Sequence, residues 1–451
     1  MKRINFRAPG TYLSLAALLA LAAGFGLWLR GAHYGLWGYA AAGLSVLGFA
    51  ALGLRFVPEW MRFWSREGED GLAAAPVRDA KTAAGVFLVL LLFDALVLLS
   101  VWALRALLGY HSSFSQMLSF WATGLDSRHY LDIARDWYLS EGDMDRLVQL
   151  VFLPGYPLAI RLVHLLVPDW TLAALLTSAL CFAGGGAVLY RLLRLDLPRE
   201  TALRAIALLC LMPGAFFFAA PMSESLFFLL CVSCLYLART RRWLAGCVCG
   251  GAAAFTRSLG LTLLAPLVLE LVASAVRRPD GKRALRRAAA LLLVPAGFGA
   301  YCWVNYRVAG DPFQYMIYQR EHWSQSLGWF FNTAAYQTEN LLRCAGTESA
   351  NFWGLWLPNL LAGFAFLGVF TAAAKRLRAS ITAWAIGYFF VAVGVTWLLS
   401  APRYLLTFFP FPTALALLTQ KRPRAAAAAA AICAVLAFCY LLAFVQRWQV
   451  W

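Results

Sequence analysis

The sequence predicts an all-α fold, a polytopic bundle of about 11–14 transmembrane helices, and three observations carry that reading. Of the 451 residues, 62% are hydrophobic and only 14% charged, against about a quarter charged in soluble domains. Apolar runs of about 18 residues or more recur along the chain, each long enough to cross a bilayer as a helix. Lysine and arginine gather in short connectors between these runs. No ordinary soluble core shelters this much apolar surface, so a soluble protein is excluded.

Taken in order, the spans fall at about 11–29, 35–55, 83–107, 170–190, 202–219, 222–238, 244–256, 259–276, 288–306, 353–374, 380–399, 404–420 and 425–445. The first follows Lys2, Arg3 and Arg7 and has the polarity of a signal peptide. Its apolar run exceeds the roughly 7 to 15 residues usual there, so a retained anchor is expected. Residues 151–167 are either a further crossing or a re-entrant piece. The alanines at 425–431 read as a lipid-facing or tightly packed helix. The expected organisation is an additional N-terminal membrane hairpin with its connector over 1–80, a membrane domain over 81–420 and a C-terminal membrane helix over 421–451.

Lysine plus arginine is 39 against 22 acids, a formal charge of +17. In a soluble chain that balance would suggest nucleic acid; here topology explains it, and no nucleic-acid partner is expected. All five lysines (Lys2, Lys81, Lys282, Lys375, Lys421) lie in the basic connectors, with clusters such as Arg239, Arg241, Arg242 and Arg277, Arg278, Arg283, Arg286, Arg287. The positive-inside rule makes these connectors cytoplasmic. Two long loops, about 108–150 and 307–352, then face outward, and the first carries Asp126, Asp132, Asp136, Glu141, Asp143 and Asp145. Most of the ten cysteines lie inside apolar runs. The Cys231/Cys234 pair has zinc-like spacing but no accompanying His or second pair, so packing is expected. Cys344 falls in the second outer loop.

Within the first outer loop, Tyr130, Ile133, Ala134 and Trp137 fall on one helix face, with Asp132, Arg135 and Asp136 on the other. An amphipathic helix lying flat at the membrane interface is expected, its aromatics at headgroup depth. Asp126 stands at its start, where it either caps the helix or serves as a catalytic carboxylate. Asp143-Met-Asp145 has the spacing of a metal-binding pair, although such pairs arise often by chance. His129 and His111 are bases, ligands or simply solvated groups.

Charges beside membrane spans are costly and mark functional candidates. Glu224 in Pro221-Met-Ser-Glu-Ser-Leu, Arg257 in Phe255-Thr-Arg-Ser-Leu-Gly and Arg403 in Ser400-Ala-Pro-Arg-Tyr404 each sit at an expected outer turn, and Phe152-Leu-Pro-Gly-Tyr-Pro157 marks a broken helix start. Read blandly, Glu and Arg form an internal ion pair or the arginines snorkel. Read functionally, a carboxylate and arginines at headgroup level form a site for an anionic lipid head group with a base beside it.

In sequence order, Leu125-Asp-Ser-Arg-His-Tyr-Leu-Asp-Ile-Ala134, Phe152-Leu-Pro-Gly-Tyr-Pro157, Met212-Pro213 with Ala220-Pro-Met-Ser-Glu-Ser-Leu-Phe227, Arg242-Trp-Leu-Ala-Gly246, Thr256-Arg-Ser-Leu-Gly260, Gly310-Asp-Pro-Phe313 with Gln319 and Trp323, and Ser400-Ala-Pro-Arg-Tyr404 resemble the PIG-V family. These are the GPI mannosyltransferase II proteins and their prokaryotic relatives, within the GT-C class of membrane glycosyltransferases. The resemblance covers about 115–410. It departs at Leu125, where the family usually has Trp, and at Leu259, where Asn is common.

The resemblance implies inverting transfer of a sugar, mannose in the family, from a polyprenyl phosphate donor to an acceptor hydroxyl at the outer face. Asp126 is then the catalytic base. Arg257, Arg403, Glu224, His129, Tyr156, Tyr404 and Gln319 are the expected residues for the donor phosphate or sugar. No cofactor or metal is expected, because a phosphate leaving group can be met by arginines. The acceptor is a glycolipid, polymer or protein hydroxyl, in a prokaryotic plasma membrane. Two alternatives remain, a transporter or flippase of a lipid-linked sugar and an inactive scaffold of the same fold. A transporter should show paired halves with interrupted helices at mid-membrane.

Overall fold

A computed structural model describes residues 9–64, 79–110, 113–138, 148–277 and 279–450. Among the described residues the chain is helical, apart from an isolated antiparallel bridge between Leu327 and Val395. Among the described residues eight helices are long and apolar enough to cross a membrane: Gly10–Gly31, Leu36–Trp64, Ala80–Leu107, Trp170–Leu193, Ser258–Arg277, Gly281–Ala309, Ser349–Ala373 and Pro423–Val445. The protein is therefore an all-α, polytopic membrane bundle.

The remaining expected crossings are occupied by shorter helices. They are Arg199–Cys210, Glu224–Arg239, Trp243–Thr256, Ala379–Val393 and the broken pair Ala401–Leu406 and Pro410–Thr419. At about 1.5 Å per residue none reaches the roughly 30 Å of a hydrocarbon core. Proline and glycine explain several of the stops. Gly214 takes a left-handed φ of 82° after Pro213, Pro221 precedes the 224–239 helix, and Pro402 and Pro410 each open a new helix. The missing turns lie at the end of the bundle where Glu224, Arg257 and Arg403 sit, so that end is not sealed by continuous helix. Residues 151–167 contain one helix, Gly155–His164, about 15 Å long, which favours the re-entrant alternative.

The first two helices, Pro9–Gly31 and Leu36–Trp64, are pinned to residues 330–344. Trp28 Nε1 and the Tyr34 hydroxyl both donate to Asn332 Oδ1 at 2.9 Å, and the Gly35 N–H donates to Glu339. Asn332 and Glu339 belong to the Phe330–Cys344 helix, which packs along Leu36–Trp64. At the opposite end Trp60 Nε1 donates to Thr382 Oγ1 at 2.8 Å. Cys231 and Cys234 are buried in the 224–239 helix, and Cys344 is buried too, with its thiol on Glu348.

Candidate active site

Asp126 opens the Ser127–Asp136 helix, but it is not a cap. Its backbone is already helical (φ −72°, ψ −14°) and its side chain accepts no capping bond. A capping residue normally keeps extended dihedrals so that its side chain can turn back onto the first free N–H groups. Here Leu125, at a left-handed φ of 49°, makes the turn one residue earlier. Asp126 Oδ2 accepts instead from Arg403 Nη1 at 2.5 Å. The other oxygen, Oδ1, takes no hydrogen bond among the described residues, and the side chain is 29% exposed.

The apolar face of that helix is buried as its periodicity predicts, with Tyr130, Ile133 and Ala134 inside. The expectation that its aromatics lie at headgroup depth is corrected for Tyr130. Its ring packs on Phe152 and Tyr156, each 5.4 Å away, and its hydroxyl pairs with Ser223 Oγ at 2.9 Å. The face meets protein because residues 152–157 and the 221–224 turn cover it. Burial pushes the Tyr130 hydroxyl up to about 12. Trp137 lies beyond the helix end, its ring under Arg161.

Glu224 joins the site to two more helices. Oε1 accepts from Arg257 Nη1 at 2.6 Å and from Arg403 Nε. Arg257 Nη1 also reaches Ser223 Oγ at 3.1 Å. Glu224 is fully buried, Arg403 is 5% exposed and Arg257 12%. Two arginines and two carboxylates thus form a balanced cluster linking residues 126, 224, 257 and 403. Glu224 is the first residue of its helix, where the positive end of the helix dipole favours a carboxylate. Removing one member would leave uncompensated buried charge, at about 3–5 kcal/mol.

Each arm of the cluster is locally fixed. The turn before Arg403 is held by Asn359, whose Nδ2 donates to Leu398 O at 3.2 Å and whose Oδ1 accepts from Ala401 N at 2.7 Å, and by Gln337 Nε2 on Leu398 O at 3.0 Å. Tyr388 donates to Tyr404 O at 2.6 Å. Beside Arg257, the Phe152–Pro157 turn packs directly on Thr256. A Cβ on Gly155 would lie 2.9 Å from the Thr256 backbone, so only glycine fits. Gly260 closes the Arg257 turn under the same constraint, within 2.5 Å of the Ala254 backbone.

The remaining sequence candidates divide. Tyr404 lies under the Arg257 guanidinium, 5.6 Å from it. His129 stacks on Phe152 at 4.7 Å, and burial holds its imidazole below the ordinary range, with Asp126 and Asp132 pulling the other way. Tyr156 is fully buried, its hydroxyl engaged with Ala174 O and Ser178 Oγ. Those bonds direct its hydroxyl at the Trp170–Leu193 helix and away from the Asp126 carboxylate's partners. Gln319 bonds Gln325 at 3.1 Å, and no contact brings it to the cluster. Trp323 at the end of its helix does reach Phe152, at 6.1 Å. His111 and the Asp143/Asp145 pair lie outside the described residues.

Several residues carry no sequence signal of this kind. Asn359 and Gln337 sit inside otherwise apolar or amphipathic helices. Arg447, near the C-terminal end, lines a cavity of about 360 Å³ with Phe120, Gly124, Leu125, Phe444 and Trp448. Leu125, the residue before Asp126, is part of that lining. Asp94 lies buried in the Ala80–Leu107 helix with neither oxygen hydrogen-bonded; an acid inside an apolar run was the available signal.

No family model matches the chain, and no curated protein matches it. A solved structure that resembles it is ArnT from Cupriavidus metallidurans bound to undecaprenyl phosphate, 19% identical with a TM-score of 0.45 over 70% of this chain. The chain spans 59% of the length of that protein. At that level of likeness, the functional reading rests on the cluster's own geometry and on the sequence motifs.

Proposed function

We propose that this protein is an inverting glycosyltransferase of the GT-C type, moving a sugar from a polyprenyl phosphate to an acceptor hydroxyl at the outer membrane face. The observation that carries the reading is the Asp126 carboxylate, 29% exposed, with one oxygen held by Arg403 at 2.5 Å and the other free of hydrogen bonds among the described residues. A general base needs this combination of fixed orientation and an accessible lone pair. Mannose as the sugar follows from the sequence resemblance, and a prokaryotic plasma membrane as the location from the Ala/Leu/Arg-rich composition.

In the proposed reaction the acceptor oxygen attacks the anomeric carbon as Asp126 Oδ1 takes its proton. The bond from that carbon to the phosphate oxygen breaks with inversion, and its electron pair leaves on the polyprenyl phosphate. The balanced cluster suits this sequence. When Asp126 is neutralised by the proton, Arg403 loses one of its two carboxylate partners while negative charge appears on the leaving phosphate. Arg403 and Arg257 then serve that charge from a site largely removed from water, where fixed donors count for more. Glu224 orients both arginines. Arg447 supplies a further cation to the cavity, and no metal is invoked.

The test is release of sugar from labelled polyprenyl phosphate mannose by purified protein in lipid, with a membrane extract as acceptor source. Labelled product together with free polyprenyl phosphate supports the reading. Movement of intact lipid-linked sugar across sealed vesicles, without release, would replace it with the flippase.

A further inference from the structure

At the end of the bundle opposite Asp126 lies a second cavity, of about 380 Å³. That is within the usual size of a small-ligand site. Helix ends that converge there contribute Arg62, Arg239, Arg277, Lys375, Arg376 and Arg378, six basic side chains against two acids, Glu59 and Asp196. The acids are already engaged. Arg239 holds Asp196 through two bonds of 2.8 and 2.9 Å, and Arg62 holds Glu59 at 3.0 Å. Just behind the wall, Arg378 is matched by Glu270 at 2.5 and 2.9 Å.

Lys375 and Arg376 differ. Both are exposed. Lys375 makes no ion pair among the described residues, and Arg376 donates to a neutral group, Leu417 O, at 2.6 Å. Beyond these cations the lining turns apolar, through Leu193, Ile381, Phe409 and Pro410. Pro410 is seven residues above Leu417 on its helix, about 10 Å deeper into the bundle. The cavity therefore has a cationic mouth at the membrane surface and an apolar interior.

We propose that this cavity binds the head group of an anionic phospholipid, the phosphate against Lys375 and Arg376 and the first part of an acyl chain along Phe409 and Pro410. Charge selects the anion, and the apolar depth selects an amphiphile over a soluble phosphate. Basic pockets between helix ends suit anionic lipids for the same reasons. The inference is independent of the Asp126 chemistry.

Native mass spectrometry of the full chain in neutral detergent, titrated with phosphatidylglycerol, tests it, with phosphatidylcholine and inorganic phosphate as separate arms. The wild type should retain phosphatidylglycerol in preference to both. Lys375→Gln with Arg376→Gln should weaken retention by about five-fold for each charge removed. Lys421→Gln with Arg422→Gln, which removes two charges from a neighbouring basic connector, should leave it unchanged. Equal loss in both double variants, no loss in the first, or equal retention of inorganic phosphate would overturn the proposal. A circular dichroism melt of each variant separates lost binding from lost fold.

Discussion

The two ends of this bundle treat charge in opposite ways. At the Asp126 end, Arg257 and Arg403 meet Glu224 and Asp126, and each arginine has a carboxylate within 2.6 Å. At the other end, six basic side chains line a cavity with two acids. The difference follows from burial. Glu224 is fully buried and Arg403 nearly so, where an unpaired charge costs several kcal/mol. Lys375 and Arg376 stand in solvent reach, where an unmatched charge costs little and is available to a ligand. Paired burial fixes geometry, which chemistry needs; unpaired exposure attracts an anion, which binding needs.

The sharpest way to break this comparison is to unbalance the buried end. Glu224→Gln should cost about 3–5 kcal/mol, read as a large fall in Tm, because both buried arginines lose the carboxylate charge that they share. Lys375→Gln should shift stability by less than about 0.5 kcal/mol. Similar losses in the two variants would remove the distinction.

Steric fit at the cluster is the next largest effect. Gly155→Ala forces its Cβ against Thr256 and should destabilise by about 1–3 kcal/mol. Adding Thr256→Ala should restore part of this, and no recovery in the unfolding midpoint would mean that the contact is not the cause. Asp94 offers the complementary case of a buried carboxyl with neither oxygen bonded. Asp94→Leu should raise stability by about 1–3 kcal/mol, since an unsatisfied polar group is exchanged for an apolar one. A lower Tm would reveal a partner for it.

The smallest effect is a pH slope from His129. Burial depresses its folded-state value, so the unfolded chain protonates first on acidification. Its contribution to stability is complete above the unfolded value of about 6.5 and declines as pH falls below it. His129→Phe keeps the stack on Phe152 and should flatten melting curves recorded across that interval. An unchanged slope would assign the acid sensitivity elsewhere.

Much of the fold was legible, because apolar runs and basic connectors report directly on membrane crossing. The short helices were not, since hydropathy continues past Pro213 and across residues 394–400 although the helix stops. Asp126, Glu224, Arg257 and Arg403 were each visible as costly polar residues, but their union was not. They lie up to 277 positions apart in the chain, and spacing along a sequence carries no signal for side chains that converge from separate helices. The same limit hid Asn359 and Gln337, which act only on the turn that presents Arg403. Capping at Asp126 failed as a reading because Leu125 takes the left-handed turn, a backbone detail that a leucine does not advertise.

The most direct test of the central claim is turnover of labelled polyprenyl phosphate mannose by wild type and by Asp126→Asn in lipid, with equal folded protein confirmed by melting. Asn keeps the size of the side chain and a carbonyl for Arg403, but it cannot accept the proton. Loss of roughly 10²- to 10⁴-fold in rate per folded molecule is the predicted result. Wild-type transfer matched by the variant would contradict Asp126 as the base.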